Sequence, residues 1–216
     1  MPKIEYKNAD GQPLQGVTTI LGNLGWNSGA LIGWAYGRGK KGLPLRDQQS
    51  LDIGTLAHKL IESDLKGNAF KLPELSETFT KEMSEKVDNC FLAYLEWRDS
   101  FKFELAAQPE LSLVSEEYQY GGTIDIPATI KGLPSILDIK TTEGGITYPD
   151  QKIQIRAYAQ LWNENFPDKK IQSYYIFNPG KSDGGFHHHY WPSLDDEWEV
   201  FKHLLEINRL KKKLGA

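Results

Sequence analysis

A single cysteine, Cys90, stands among the 216 residues, so an intramolecular disulfide framework, a cysteine-based zinc site and a four-cysteine iron–sulfur cluster are all excluded. No apolar run approaches the ~18 residues that a spanning helix needs, and Met1 to Glu5 lacks the apolar stretch of a signal peptide. The expectation is a soluble, cytoplasmic protein with no membrane partner. A surplus of positive charge is missing too: the formal net charge is -4, which argues against an architectural protein that coats DNA phosphates. It leaves open a protein that acts on a polyanion at one local site, because a basic cleft can sit in an acidic surface and bound cations add charge that a residue count omits. What is present is ordinary globular material, 39% hydrophobic and 25% charged, enough for one domain with a full core.

Asp10-Gly11, between residues 3–7 and 14–17, predicts a small opening hairpin, with Thr18 or Thr19 capping the next segment. A helix is expected over 30–36 and another over 56–65, introduced by Gly54-Thr55, where Leu56, Leu60, Ile61 and Leu65 recur at helical spacing before Gly67-Asn68. Residues 76–101 carry the longest helical pattern, with Met83, Val87, Phe91, Leu92 and Leu95 as its apolar stripe. After Pro109 the texture changes. Strands over 111–120, 123–130 and 135–141, punctuated by Gly121-Gly122 and Lys131-Gly132, read as an antiparallel meander, and Pro127 calls for an edge position or a bulge. A helix is predicted next over 149–166, with Pro149 at its first position and Asp150 complementing its dipole. Strands over 171–177 and 186–191 flank Asn178-Pro179-Gly180, and Ser193 caps a last helix running to the basic stretch Arg209 to Lys213. This order predicts one α/β domain over 1–216, mainly helical over 1–105 and sheet-containing over 106–216.

The chemistry concentrates at Asp138-Ile139-Lys140, which ends the apolar run Leu133 to Ile139, and at Asp125 in Gly122-Thr123-Ile124-Asp125. Burying carboxylates and an amine there demands a compensating charge, and a divalent cation supplies one. Side chains alternate along a strand, so Asp138 and Lys140 face the same way, roughly 6.6–6.8 Å apart along it; Thr123, Asp125 and Pro127 share a face of the preceding strand by the same rule. Pairing in register would bring Asp125, Asp138 and Lys140 to one patch at a strand end, suited to Mg²⁺ or Mn²⁺. The plainer alternative is an exposed ion pair on an edge strand. His58 and Glu62, four apart on one helix, and Gln154 and Tyr158, four apart on another, weigh against it.

Four stretches, Gly54-Thr55-Leu56-Ala57-His58 with Ile61-Glu62, Gly122-Thr123-Ile124-Asp125, Asp138-Ile139-Lys140-Thr141 and Gln154-Ile155-Arg156-Ala157-Tyr158, together resemble the PD-(D/E)XK nuclease superfamily, in its RecB-type exonuclease branch. The resemblance covers most of residues 54–162. It implies a restriction-endonuclease-like core, a central mixed sheet flanked by helices, with a helical N-terminal elaboration. It implies that His58, Asp125, Asp138 and the main-chain carbonyl of Ile139 ligate one or two Mg²⁺ or Mn²⁺ ions, that Lys140 acts on the attacking water, and that Gln154 and Tyr158 hold DNA and brace the site. Asp138 stands where many relatives carry Glu. Glu62 matches the pattern without a settled role, and Glu117 is a candidate to support the ligands from behind. Without cysteines for a cluster, the chain is similar to compact members such as phage-encoded exonucleases and the mitochondrial genome maintenance exonuclease. The implied activity is metal-dependent exonuclease cleavage of single-stranded DNA or DNA ends, in recombination, repair or phage DNA processing. A structure-selective endonuclease, a non-catalytic DNA-binding module and, more weakly, a small-molecule phosphodiesterase are the alternatives.

Other features fit DNA less specifically. Trp26, Trp34 and Tyr36 interleave with Arg38, Lys40 and Lys41, as in a surface that stacks bases and tracks phosphates, although such aromatics are more often core. Lys152 and Arg156 share the Gln154 helix and are candidate phosphate contacts. His187, His188 and His189 lie on one strand, where only alternate members share a face, so they do not read as a zinc site. Arg209 to Lys213 suits a helix C-terminus without any partner, and Cys90 reads as packing.

Overall fold

The computed structural model describes residues 4–26, 28–45, 47–101 and 103–215. The opening hairpin forms from β1 (Tyr6–Lys7) and β2 (Pro13–Gly16), with Gly11 supplying the positive φ of the turn. Four helices come next: α1 (Val17–Leu21), α2 (Ser28–Lys40), α3 (Gln48–Leu65) and α4 (Lys81–Ser100). The remaining elements are β3 (Phe103–Leu105), β4 (Leu111–Ser115), β5 (Tyr120–Ile124), β6 (Ile126–Ile130), β7 (Leu133–Ile139), α5 (Pro149–Asn165), β8 (Ser173–Pro179), β9 (Phe186–Trp191) and α6 (Asp195–Lys213).

Capping explains several boundaries that periodicity misplaces. Asp47 accepts the Ser50 N–H, so α3 begins a turn and a half before Gly54. Thr80 caps α4 by accepting the Met83 N–H, and Ser76 holds the turn before it instead of starting the helix. Leu194, not Ser193, occupies the cap of α6, and the Ser193 hydroxyl donates to Asp195 inside the first turn. Pro149 and Asp150 take the first-turn places expected of them.

The strands form two mixed sheets where the sequence predicts one central sheet. One runs β1-β2-β5-β4 and the other β3-β6-β7-β8-β9. The predicted strand 123–130 is broken at Asp125, so β5 belongs to the first sheet and β6 to the second. The mainly helical N-terminal part also lends strands to both sheets: β2 pairs in parallel with β5, and β3 pairs antiparallel with β6. Pro127 sits inside β6, yet its carbonyl accepts the Ala106 N–H just past the end of β3. The N–H and C=O of one strand residue point the same way, so the missing donor falls where the neighbouring strand has run out.

The second sheet is covered on both faces. Ile126, Ala128, Ile130, Leu137, Ile139, Tyr175 and Phe177 pack against Ile61 of α3 and Ala93, Tyr94 and Trp97 of α4. Ile136, Tyr174 and Ile176 face α5 and α6. Alternation along β7 therefore sends Asp138, like Ile136, toward α5, and Ile139 toward α3 and α4. Two glycines make the close approaches possible. A Cβ on Gly121 would lie 2.3 Å from the Tyr6 ring, and one on Gly122 would lie 2.8 Å from Tyr158 and 2.9 Å from Leu161. Gly122→Ala is accordingly expected to cost about 1–3 kcal/mol by overpacking, read as a lower denaturation midpoint in urea. An unchanged midpoint would mean that the α5 seam tolerates more than its packing indicates.

Candidate metal centre

Three elements converge where β5 gives way to β6. His58 comes from the middle of α3, which lies close to the end of β7 because Gly54 has no Cβ to meet the Thr141 side chain, 2.7 Å from where one would stand. Asp125 occupies the break between the two sheets. Its Oδ2 accepts the Ile139 N–H at 2.9 Å and stands 3.8 Å from His58 Nδ1, so the carboxylate spans the gap between β7 and α3. Glu110 enters from the turn before β4, and His58, Glu110 and Asp125 offer ligand atoms all within 4.8 Å of one another.

Asp138 does not join that triad. It points to the α5 side of β7, 1% exposed, with its Oδ2 2.5 Å from Lys140 Nζ, and neither carboxylate oxygen accepts a hydrogen bond of ordinary geometry. The structure thus brings together His58, Asp125 and Ile139 as the motifs imply, adds Glu110, and sets Asp138 against Lys140. Glu110 escapes the sequence pattern because it precedes its strand in a turn at φ 57, outside any periodic arrangement.

The electrostatics report crowded negative charge. Burial pushes the Glu110 carboxyl up to about 8, with Asp125 and Glu62 adding to the rise. Burial likewise raises Asp138 to about 7; Lys140 opposes the shift and Asp125 reinforces it. Burial would pull the Lys140 ammonium down, but Asp138 and Asp125 prevail and hold it above its usual range. The buried His58 imidazole is shifted down, toward the neutral form that a metal ligand requires, against the pull of Asp125.

Two spaces flank the cluster. On one side a cleft of about 570 Å³ is lined by Ser50, Thr55, Lys140, Thr142, Tyr148 and Lys181, with His58, Asp125 and Ile139 in its wall. On the other a void of about 10 Å³, the size of one water or one ion, is bounded by His58, Glu62, Glu110, Asp125 and Ile139. The donor set fits a cation: two carboxylates and a neutral imidazole converge in a buried setting that disfavours uncompensated negative charge, and the space matches one ion. With a nitrogen ligand in the set, such a site would suit Mn²⁺ better than Mg²⁺, which prefers oxygen throughout.

The remaining candidates divide. Gln154 donates to the Tyr158 hydroxyl at 2.8 Å, and Tyr158 lies buried near Asp138 and Asp125, whose charges add to the rise that burial gives its hydroxyl. Glu62 lies beside Glu110 and pairs with Lys66. Glu117 supports none of the ligands. Its N–H donates to Glu164 in the turn beyond β4, at the opposite end of that strand from Glu110. Lys152 and Arg156 both turn toward α6. Lys152 pairs with Glu197 of α6 at 2.8 Å, and Arg156, 9% exposed, lies 4.9 Å over the Trp198 ring. Arg38 donates to the Pro44 carbonyl and lies over Trp34, which ties it to the loop after α2, whereas Lys41 is exposed. His188 accepts the Trp97 indole N–H among aromatic rings, and His189 meets the Gly145 carbonyl. No helix among the described residues is long and apolar enough to cross a membrane.

No family model matches the sequence, and no curated protein matches it. Among solved structures, the chain is similar to one described as the crystal structure of SSO0001, at 15% identity and a TM-score of 0.35, covering 71% of this chain and 72% of that one.

Proposed function

We propose that this chain is a divalent-metal-dependent deoxyribonuclease of the PD-(D/E)XK kind, hydrolysing phosphodiester bonds of single-stranded DNA or DNA ends. The observation that carries the reading is the gathering of His58, Glu110 and Asp125 beside the same cleft that Lys140 lines, with Asp138 buried against that lysine. His58, Glu110 and Asp125 would hold the ion, with the Ile139 carbonyl beside them. A bound Mg²⁺ or Mn²⁺ supplies positive charge that offsets the charge developing on the phosphoryl oxygens.

The protein groups do the rest. Lys140 stays protonated at neutral pH because Asp138 and Asp125 stabilise its charge, so it acts as a cation and hydrogen-bond donor to the attacking water and the phosphoryl oxygen, not as a base. Asp138 fixes that ammonium in place. Asp125, anchored on the Ile139 N–H, holds the strand end and α3 in one geometry. Tyr158, locked between Gln154 and the close approach of Gly122, backs Asp138 from α5.

The neighbourhood of α2 favours single strands. None of its residues is buried, Arg38 and Lys40 lie 5.1 and 5.3 Å from the Trp34 and Tyr36 rings, and an apolar groove along it shares Ser50 and Leu51 with the cleft. Aromatic faces beside cations stack any base while tracking the backbone. The test is degradation of an end-labelled single strand, expected to stop with EDTA, to return with Mn²⁺, and to spare circular single-stranded DNA. Cutting of circles would make the enzyme an endonuclease, and no degradation under any divalent metal would leave a binding module.

A further inference from the structure

Beyond the cleft lies a second compartment that the metal cluster does not use. Its volume is about 520 Å³, within the range of small-ligand sites, and it is walled by Thr142, Gly144 and Gly145 on one side and by the β8–β9 loop on the other. Thr142 and Lys181 belong to the walls of both spaces, so the compartment opens off the catalytic cleft.

The loop that forms it is held in shape. Its base is closed by the Gly180 N–H donating to the Gly185 carbonyl at 2.7 Å, and Asp183 accepts the Gly185 N–H from within. Asn89 of α4 donates to the Lys181 carbonyl at 2.9 Å and fastens the loop to the helical layer. On the opposite wall the buried Asn178 amide and the Thr142 hydroxyl are hydrogen-bonded to each other. Lys181 reaches back across the cleft, its Nζ donating to Ser50 Oγ of α3 at 2.9 Å. The ammonium therefore stands at the threshold between the two spaces.

Resting on the nuclease reading above, we propose that this compartment receives the terminal nucleotide of a DNA strand, and that Lys181 binds the phosphate joining it to the nucleotide next along. A strand lying in the cleft must turn past Lys181 to enter, and a wall carrying Lys181, Ser182 and the Thr142 side chain suits a sugar and phosphate better than an apolar ligand, while Asn178 stays committed to Thr142 behind it. Asp183 is the acidic group in the wall, and its engagement with the Gly185 N–H keeps it on the loop side. A strand without an end cannot place a terminal nucleotide there, so the compartment accounts for selection of ends. Lys181 is a positioning residue that touches substrate away from the scissile bond.

The test measures binding and needs no catalysis. The full chain carrying Asp138→Asn, in Mn²⁺, is titrated by fluorescence anisotropy with a linear single strand, and with a circular strand of the same sequence as competitor. The linear strand is expected to bind about tenfold more tightly than the circle, and adding Lys181→Ala should erase that difference. Lys181→Ala should also reduce the slope of log affinity against log salt by about 0.7, the value of one single-strand phosphate. Lys181→Gln, which can keep the Ser50 hydrogen bond while losing the charge, should show the same reduced slope and a melting temperature close to the parent. Equal affinity for line and circle, or an unchanged slope in both Lys181 variants, overturns the inference. End-selective binding that depends on Lys181 in a chain that cuts no DNA would sustain the compartment and sink the nuclease reading; cleavage by the wild-type chain without end selection would do the reverse.

Discussion

Asp138→Asn and Lys140→Ala are each expected to lower the rate of single-strand degradation by on the order of 10³-fold or more, the scale seen when a group acting on the transition state is removed. Stability is what makes the expectation specific. Asp138 is 1% exposed and closes against Lys140, so neutralising it leaves the ammonium beside an amide, a loss softened because Lys140 also lines the open cleft and keeps Asp125 nearby. Asp138→Asn should melt a few degrees below the parent while its rate collapses, a split that a merely structural role would not give. Lys140→Ala leaves a buried carboxylate alone, but one already raised to about 7, which can escape the penalty by taking a proton at neutral pH. Its melting temperature should fall by only a few degrees while its rate collapses. Lys152→Ala, which breaks a pair with Glu197 on the far helix, is the control and should cut at the parent rate. Parent rates in either catalytic variant, with the fold intact by circular dichroism, would remove the central claim.

The parts of this site visible in the sequence are those written within one element. Asp138 and Lys140 two apart in a strand, and Gln154 and Tyr158 four apart in a helix, declare a shared face through local periodicity alone, and both pairs meet as that periodicity demands. The same rule, applied further, separates Arg156 from Tyr158. Residues two apart on a helix point to nearly opposite sides, and α5 is packed on both, against the sheets and against α6. Chain proximity alone suggests DNA for Lys152 and Arg156, whereas the pairing of each with α6 turns them away from the cleft. What no local pattern carries is the break at Asp125. A continuous strand over 123–130 satisfies the alternation, and only the division into two sheets puts that carboxylate at a corner facing His58. Glu110 is hidden for the same reason, since a turn residue acquires its partners wholly through tertiary packing. Glu117 shows the converse error: an acidic residue near a strand is no guide to which end of it the site occupies.

Stability itself should depend on a divalent cation, and more strongly as pH rises. Glu110 and Asp138 stand at about 8 and about 7 in the folded chain, against ordinary values of 4.5 and 3.8. Between those limits the folded state keeps protons that the unfolded chain has released, so unfolding free energy falls as pH increases. His58, shifted below its ordinary value of 6.5, works in the opposite sense on the acid side, where folding must hold it neutral while the unfolded chain takes up a proton. The two trends cross, and the loss should be clearest from about pH 6.5 to about pH 8 in EDTA. A cation bound by His58, Glu110 and Asp125 replaces those protons, so Mn²⁺ must compete with them at about pH 6 and meets little competition at about pH 8. Saturation to about 100 times the dissociation constant is worth about 2.7 kcal/mol, roughly a 5–10 °C rise in melting temperature for a chain of this size. That rise should be present at the alkaline end and much reduced at the acid end. Glu110→Gln should raise the melting temperature in EDTA at the alkaline end by removing a buried charge, and at the same time lose most of the response to Mn²⁺. His58→Ala should lose the response without that gain. A melting temperature that ignores Mn²⁺ under alkaline conditions in the wild-type chain would show that these side chains crowd together for some purpose other than holding an ion.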